Sequence, residues 1–221
     1  MTTQQRATQP PTPRSSAGPT TAGAGATPTR IDLEVVAELV SPGARVLDLG
    51  CGDGALLKLL VDRKGVVARG VEISDEGVRQ CIAKGLAVHH ADLDEGLGDY
   101  PDDSFDYVIL SQTLQTVHKP DLALKEMLRV GRVGIVSFPN FGYWQVRWQL
   151  LLTGRMPKND YLPYEWYDTP NIHLLTVKDF HEFCAGHGIT ISQALYLSDG
   201  HRIRLWPNLR AKIAIFVVHG P

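Results

Sequence analysis

The sequence predicts an α/β fold: a doubly wound, mostly parallel sheet of seven strands with helices on both faces and an antiparallel strand at one edge. Two observations carry this. From residue 30 onward, short apolar runs alternate with stretches of helical period. A glycine-rich turn, Asp48-Leu49-Gly50-Cys51-Gly52-Asp53-Gly54, joins the first apolar run to the helix after it. Strands that alternate with helices form βαβ units, which force parallel pairing and cover both faces of the sheet.

Taken in order, Ile31, Val35, Val36, Leu39 and Val40 recur at helical spacing and predict a helix over residues 30–40, stopped by Pro42-Gly43. Residues 45–49 form the first strand and 54–63 the next helix. Strand 66–73, helix 76–84 and the short strand 86–89 follow. Strand 105–110 leads to a helix that starts at Pro120 and ends at Val130, and strand 133–138 comes after it. Residues 176–187 read as a helix, with Thr176 and Asp179 placed as a capping pair. Strands 189–197 and 211–219 close the chain with no helix expected between them, so they are expected to pair antiparallel.

Residues 1–29 differ in composition. They are rich in Thr, Pro, Ala and Gly, and they have Arg6 and Arg14 but no acid and almost no large apolar residue. Such a segment cannot bury enough surface to offset its ordering entropy, and a disordered tail is expected, followed by one domain over 30–221. Across all 221 residues, 43% are hydrophobic and the net charge is -2, which argues against broad nucleic-acid or membrane-surface binding. No apolar run approaches the roughly 18 residues of a membrane span. The three cysteines, Cys51, Cys81 and Cys184, lack metal or disulfide spacing, which reads as a reduced, cytoplasmic chain with no metal site.

In a doubly wound sheet, ligands bind beyond the carboxyl ends of the strands at the switch point. The turn Gly50-Cys51-Gly52-Asp53-Gly54 lies there and lacks one spacer residue of a dinucleotide fingerprint, which argues against a nicotinamide oxidoreductase. Asp48 stands two residues before it. A carboxylate is unwelcome beside pyrophosphate but suits the sulfonium and ammonium of S-adenosylmethionine. Glu72, ending the second strand before Ile73, is placed to accept the ribose hydroxyls. Asp92, beside Leu93 after the third strand, is placed to meet the adenine amino group, and Ser111 ends the fourth strand at the same cleft.

These residues resemble the class I methyltransferases, whose Rossmann-like sheet is implied here. More closely, the chain is similar to the MetW family of methionine biosynthesis. The resemblance rests on residues 45–54, on Val108-Ile109-Leu110-Ser111-Gln112-Thr113-Leu114-Gln115, on Ser137-Phe138-Pro139-Asn140-Phe141-Gly142, on Gly154-Arg155-Met156-Pro157 and on Leu162-Pro163-Tyr164-Glu165-Trp166-Tyr167-Asp168-Thr169-Pro170-Asn171-Ile172-His173. It implies S-adenosyl-L-methionine or S-adenosyl-L-homocysteine as cofactor and homoserine O-acyltransferase (MetX) as partner. It does not imply a methyl acceptor, so an active methyltransferase on a small molecule stands as the alternative.

Between residues 141 and 173 lie Phe141, Tyr143, Trp144, Trp148, Tyr161, Tyr164, Trp166 and Tyr167, interleaved with Arg147, Arg155, Asp168, Asn171 and His173. The segment reads as a lid or partner surface, against the alternative of a satellite core under a long loop. His173 is a weak candidate general base, and a structural histidine is the plainer reading. His181 and His187 are six apart on one helix, which misses the spacing of two zinc ligands.

Overall fold

The computed structural model describes residues 31–220, and the tail expected over 1–29 lies outside the described residues. The chain runs α1 (Ile31–Leu39), β1 (Arg45–Leu49), α2 (Ala55–Lys64), β2 (Val67–Glu72), α3 (Asp75–Ala83) and β3 (Ala87–His90). A 3-10 turn at Leu93–Glu95 precedes β4 (Phe105–Ser111), α4 (Pro120–Val130) and β5 (Gly131–Pro139). Then come α5 (Trp144–Thr153), α6 (Val177–Gly186), β6 (Thr190–Ser198), β7 (His201–Arg202), α7 (Pro207–Arg210) and β8 (Ile213–His219).

The eight strands form one sheet in the order β3-β2-β1-β4-β5-β8-β6-β7. Strands β1 to β5 pair in parallel, while β8 is antiparallel to both β5 and β6. The two closing strands pair antiparallel on that side of the sheet, as expected. The eighth strand is the two-residue β7 at the rim. Strand β8 sits inside β6 because its run Ile213-Ala214-Ile215-Phe216-Val217-Val218 is apolar enough to be buried on both faces, whereas β6 is mostly half-exposed. The single turn α7 intervenes between these strands against expectation, with Pro207 at its start, where the missing N–H costs nothing.

Consecutive residues of the central strands feed opposite faces. Leu47, Leu49, Val108 and Leu110 pack with Met127, Phe138, Phe180 and Phe216 beneath α4 and α6. Val46, Ile109, Ile135 and Ile215 pack with Val36, Leu56 and Leu60 beneath α1 and α2. Helix α6 carries the expected capping box: the Thr176 hydroxyl accepts from Asp179 N–H at 3.3 Å, and the Asp179 carboxylate accepts from Thr176 N–H at 2.8 Å. Strand order reverses beside β1, whose neighbours are β2 and β4, and this switch point faces the glycine turn.

Candidate functional site

The turn after β1 is held from both sides. Gly50 and Cys51 donate to the Val71 carbonyl at 2.8 and 3.1 Å, which fixes the turn against the end of β2. Gly50 has φ +71, and a Cβ there would lie 2.4 Å from Thr113 Cγ2, so glycine lets the loop after β4 close over the turn. Gly54 caps α2 in the left-handed conformation and packs under Leu86 and Cys81. Cys51 points the same way. Its Sγ lies 3.7 Å from Cys81 Sγ, and burial pushes its thiol far above its ordinary pKa. Cys51 and Gly54 therefore shape the turn from behind.

Glu72 is buried at the end of β2 and joins two parts of the cleft. Its Oε2 accepts from Gly52 N–H at 2.7 Å and its Oε1 from Ser74 N–H at 2.8 Å, at the start of α3. Each carboxylate oxygen keeps a lone pair for a further donor. Asp48 is buried in β1 with Gly70 and Ile109 as its strand neighbours, directly before the turn.

A cavity of about 320 Å³ opens at this point and is lined by Gly50, Glu72, Ile73, Asp92 and Leu93, five of the residues singled out from sequence. The others, Asp48, Cys51, Gly52, Gly54 and Ser111, stand around it without lining it. Asp92 caps the 3-10 turn, its Oδ1 accepting from Asp94 N–H at 2.9 Å. Ser111 Oγ lies 3.3 Å from Ser137 Oγ and so braces β4 against β5.

Among the lining residues that the sequence did not single out, Asp94, Gln112 and Thr113 shape the cavity most directly. Asp94 accepts from the backbone N–H groups of His118 at 3.0 Å and Lys119 at 2.7 Å, clamping the far end of the post-β4 loop. Burial raises its pKa, but these bonds outweigh that and hold the carboxyl below its usual range. Gln112 takes φ +58, rare for a non-glycine residue, and is held by Ser137 O at 2.9 Å. Thr113 is the residue over Gly50. None has a local signal in sequence except that Gln112 and Thr113 directly follow Ser111.

A second cavity of about 330 Å³ shares Gln112 and Thr116 with the first and adds Asp32, Gln115, Tyr161 and Asn171. A third, of about 550 Å³, is formed by the aromatic segment itself, with Arg155, Lys158, Glu165 and Trp166 in its wall. The segment contains α5, which was not expected, and it is tied down at both ends. Asn140, fully buried, donates to Ala211 O at 2.8 Å and accepts from Gly142 and Val177 N–H at 2.9 and 3.3 Å. Ile172 and His173 both donate to the Gln115 carbonyl, at 2.8 and 3.0 Å. Through that bond His173 anchors the segment, and its side chain lines none of the three cavities. Among the described residues, no group of three or more His, Cys, Asp or Glu is arranged to hold a metal ion, and no helix is long and apolar enough to cross a membrane.

A parallel sheet with this order, a glycine turn at its switch point and an acid ending β2 define the class I S-adenosylmethionine-dependent methyltransferase fold. Solved structures agree. The chain matches an S-adenosylmethionine dependent methyltransferase from Mesorhizobium loti with TM-score 0.64 and 18% identity, over 86% of this chain and 98% of that one. It matches a chain of the complex between the Haloferax volcanii Trm112 methyltransferase activator and its putative methyltransferase with TM-score 0.62 and 19% identity, over 86% and 89%. At these identities the likeness is one of fold.

The particular family is set by sequence. The family model described as methionine biosynthesis protein MetW matches residues 30–218, and the chain belongs to that family. The bifunctional methionine biosynthesis protein MetXA/MetW of Rhodopirellula baltica is 37% identical over 202 residues, which cover 86% of this chain. A ubiquinone/menaquinone biosynthesis C-methyltransferase, UbiE, of Xanthomonas campestris is 37% identical over 103 residues and 43% of this chain. The matches span 32% of the first relative and 41% of the second.

Proposed function

We propose that the first cavity binds S-adenosyl-L-methionine, or S-adenosyl-L-homocysteine, and that the chain acts as a companion of homoserine O-acyltransferase (MetX) in methionine biosynthesis, in the cytoplasm. The observation that carries the cofactor half is Glu72: a buried carboxylate at the end of β2, fixed by two backbone N–H groups and lining a cavity of about 320 Å³. Small-molecule sites commonly start near this size. The residues present fit the group. Glu72 retains acceptor capacity for ribose hydroxyls, Asp92 keeps Oδ2 for the adenine amino group, and Ile73 and Leu93 supply apolar flanks for the ring. Gly50 and Gly52 let the backbone approach the methionyl end, and buried Asp48 adds negative charge behind it. When bound, the cofactor offers an electrophilic methyl group on a sulfonium.

The partner half rests on two observations. The Rhodopirellula relative bears both the MetXA and MetW names on one chain. Helix α5 and the segment after it expose Trp144, Trp148, Leu151, Leu152, Trp166 and Tyr167, an apolar surface that the fold itself leaves uncovered. The second reading, an active methyltransferase on a small acceptor, is favoured by the cavity that adjoins the first through Gln112 and Thr116. Co-purification with the acyltransferase, and incubation of the pure chain with labelled cofactor and cell extract, separate the two. Failure to form a complex at micromolar concentration ends the partner reading, and steady transfer of label to a defined small molecule establishes the alternative.

A further inference from the structure

Two of the stretches that carry the family resemblance, residues 154–157 and 162–173, build the third cavity and not the cofactor turn. Helix α5 stops at Gly154, whose φ of +62 and N–H bond to Leu150 O at 2.9 Å turn the chain sharply. Residues 155–158 leave the helix, and a tight turn brings the chain back. In it Asn159 N–H donates to Leu162 O at 3.0 Å, and Leu162 N–H to Asn159 O at 3.2 Å. Lys158 Nζ meets Glu165 Oε1 at 2.6 Å and ties the outgoing arm to the returning one. Both arms line a cavity of about 550 Å³, an ordinary size for a small-molecule site. Leu162 and Phe141, also in its wall, pack with Tyr143 and Val146, so that side is set by a small core of its own.

The rest of the wall is mostly apolar, with Met156, Pro157 and Leu174 beside Tyr164 and Trp166. Its charged residues are Arg155, Lys158 and Glu165. Lys158 and Glu165 neutralise each other, and Asp168 also lies near Lys158. Arg155 differs: it is exposed, and its guanidinium makes no hydrogen bond or ion pair among the described residues. A guanidinium has five donors and no acceptor, and the indole of Trp166, 73% exposed, adds a donor that the fold also leaves unused. Both side chains are open to solvent, so a ligand can reach them. A cationic ligand meets Arg155 while the one acid of the lining is already taken by Lys158. A carboxylate pairs with the guanidinium through two parallel hydrogen bonds, and an apolar body behind it covers the aliphatic and aromatic wall.

We propose that the third cavity binds a small carboxylate with an apolar body about the size of one ring, Arg155 holding the carboxylate and Trp166 flanking the body. This site goes beyond the proposed function and rests on neither half of it. The cavity shares no lining residue with the first and meets the second only through Tyr164 and Asn171.

The test is calorimetry on the full chain with phenylacetate as the probe. Phenylacetamide is its neutral counterpart, phenethylamine its cationic one, and acetate the carboxylate without a body. Phenylacetate binds saturably at millimolar concentration or tighter, and each of the other three binds at least about fivefold more weakly. Arg155→Met, which keeps an unbranched apolar stem and drops the charge, brings phenylacetate down to the level of phenylacetamide. Trp166→Ala weakens phenylacetate and phenylacetamide alike. Both positions are exposed, so melting of either variant stays within a few degrees of the parent chain, which separates loss of the site from loss of the fold. The proposal is overturned if phenylacetate does not bind at about 10 mM, or if the amide, the amine or acetate binds as well as it does. It is also overturned if either variant binds phenylacetate like the parent chain.

Discussion

Glu72 uses one carboxylate both to staple Gly52 to Ser74 and to face the first cavity. Its replacement therefore removes a ligand contact and loosens the turn that presents the others. Hydrogen bonds to a charged group are worth about 1.5–3 kcal/mol, so Glu72→Ala is expected to weaken S-adenosylmethionine binding about ten- to a hundredfold by calorimetry. Unchanged affinity removes Glu72 from the site. This acid was legible in sequence because its position at a strand end is a local feature. Asp94 and Gln112 were not, because their roles depend on a loop returning from the far side of β4. Cys184 gives a second expectation. Burial on the inner face of α6 pushes its thiol up to about 11 from 9.0, and burial also raises the phenols of Tyr100, Tyr161 and Tyr196. A raised folded-state pKa means that the folded chain holds its proton while the unfolded chain loses it. The stability Cys184 contributes is complete below about pH 9 and falls as pH rises through about 11, and the buried phenols extend that fall to higher pH. Melting temperature against pH should bend downward over that window, and iodoacetamide at pH 8 should leave the native thiols unmodified. Rapid alkylation of the native chain would contradict their burial.

Helix α5 shows where periodicity fails as a guide. Its sequence Trp144-Gln145-Val146-Arg147-Trp148-Gln149-Leu150-Leu151-Leu152-Thr153 places apolar residues on every side, so no single face announces a helix. A helix apolar all round is ordinarily buried, yet Val146 alone is buried here. The strands other than β7, and the other long helices, were legible because each has a continuous apolar run or one apolar face that the sheet covers. Strand β8 was legible as a strand, but its place inside β6 was not, since that depends on which strand exposes more of its faces. Because Trp148 is 56% exposed and Leu151 73%, neither holds the fold together. Trp148→Ala combined with Leu151→Glu should leave melting within a few degrees. It should weaken the complex with the acyltransferase at least about tenfold, because buried aromatic anchors dominate interface energy. Surface-immobilised partner binding reads this directly. Equal affinity would move the interface elsewhere, towards Trp166 and Arg155.

At the scale of the whole molecule, one loop connects the two proposed activities. Residues 112–116 follow β4, where Gln112, Thr113 and Thr116 line the first cavity. The Gln115 carbonyl holds Ile172 and His173 at the end of the aromatic segment, and Asn140 fixes that segment to α6 and α7. A ligand pressing on Gln112 therefore acts on the backbone that positions the exposed aromatic surface. Gln112 has a left-handed backbone, a strained state that the surroundings must impose, so a change in those surroundings acts on the loop directly. If S-adenosylmethionine serves as a signal, it must bind the free chain and the complex with different affinity. Such coupling commonly amounts to about 1–3 kcal/mol, roughly 5- to 150-fold, and must be reciprocal. The expected result is that saturating cofactor changes acyltransferase affinity by a factor in that range, and that the acyltransferase changes cofactor affinity by the same factor. Gln115→Leu should reduce the factor while leaving cofactor binding intact, because it keeps the backbone carbonyl that anchors the segment but removes the Nε2 bond to Gln112 O that braces the loop. Affinity that ignores the cofactor in both directions would end the signalling role, and the shared loop would then serve only to hold two neighbouring sites in register.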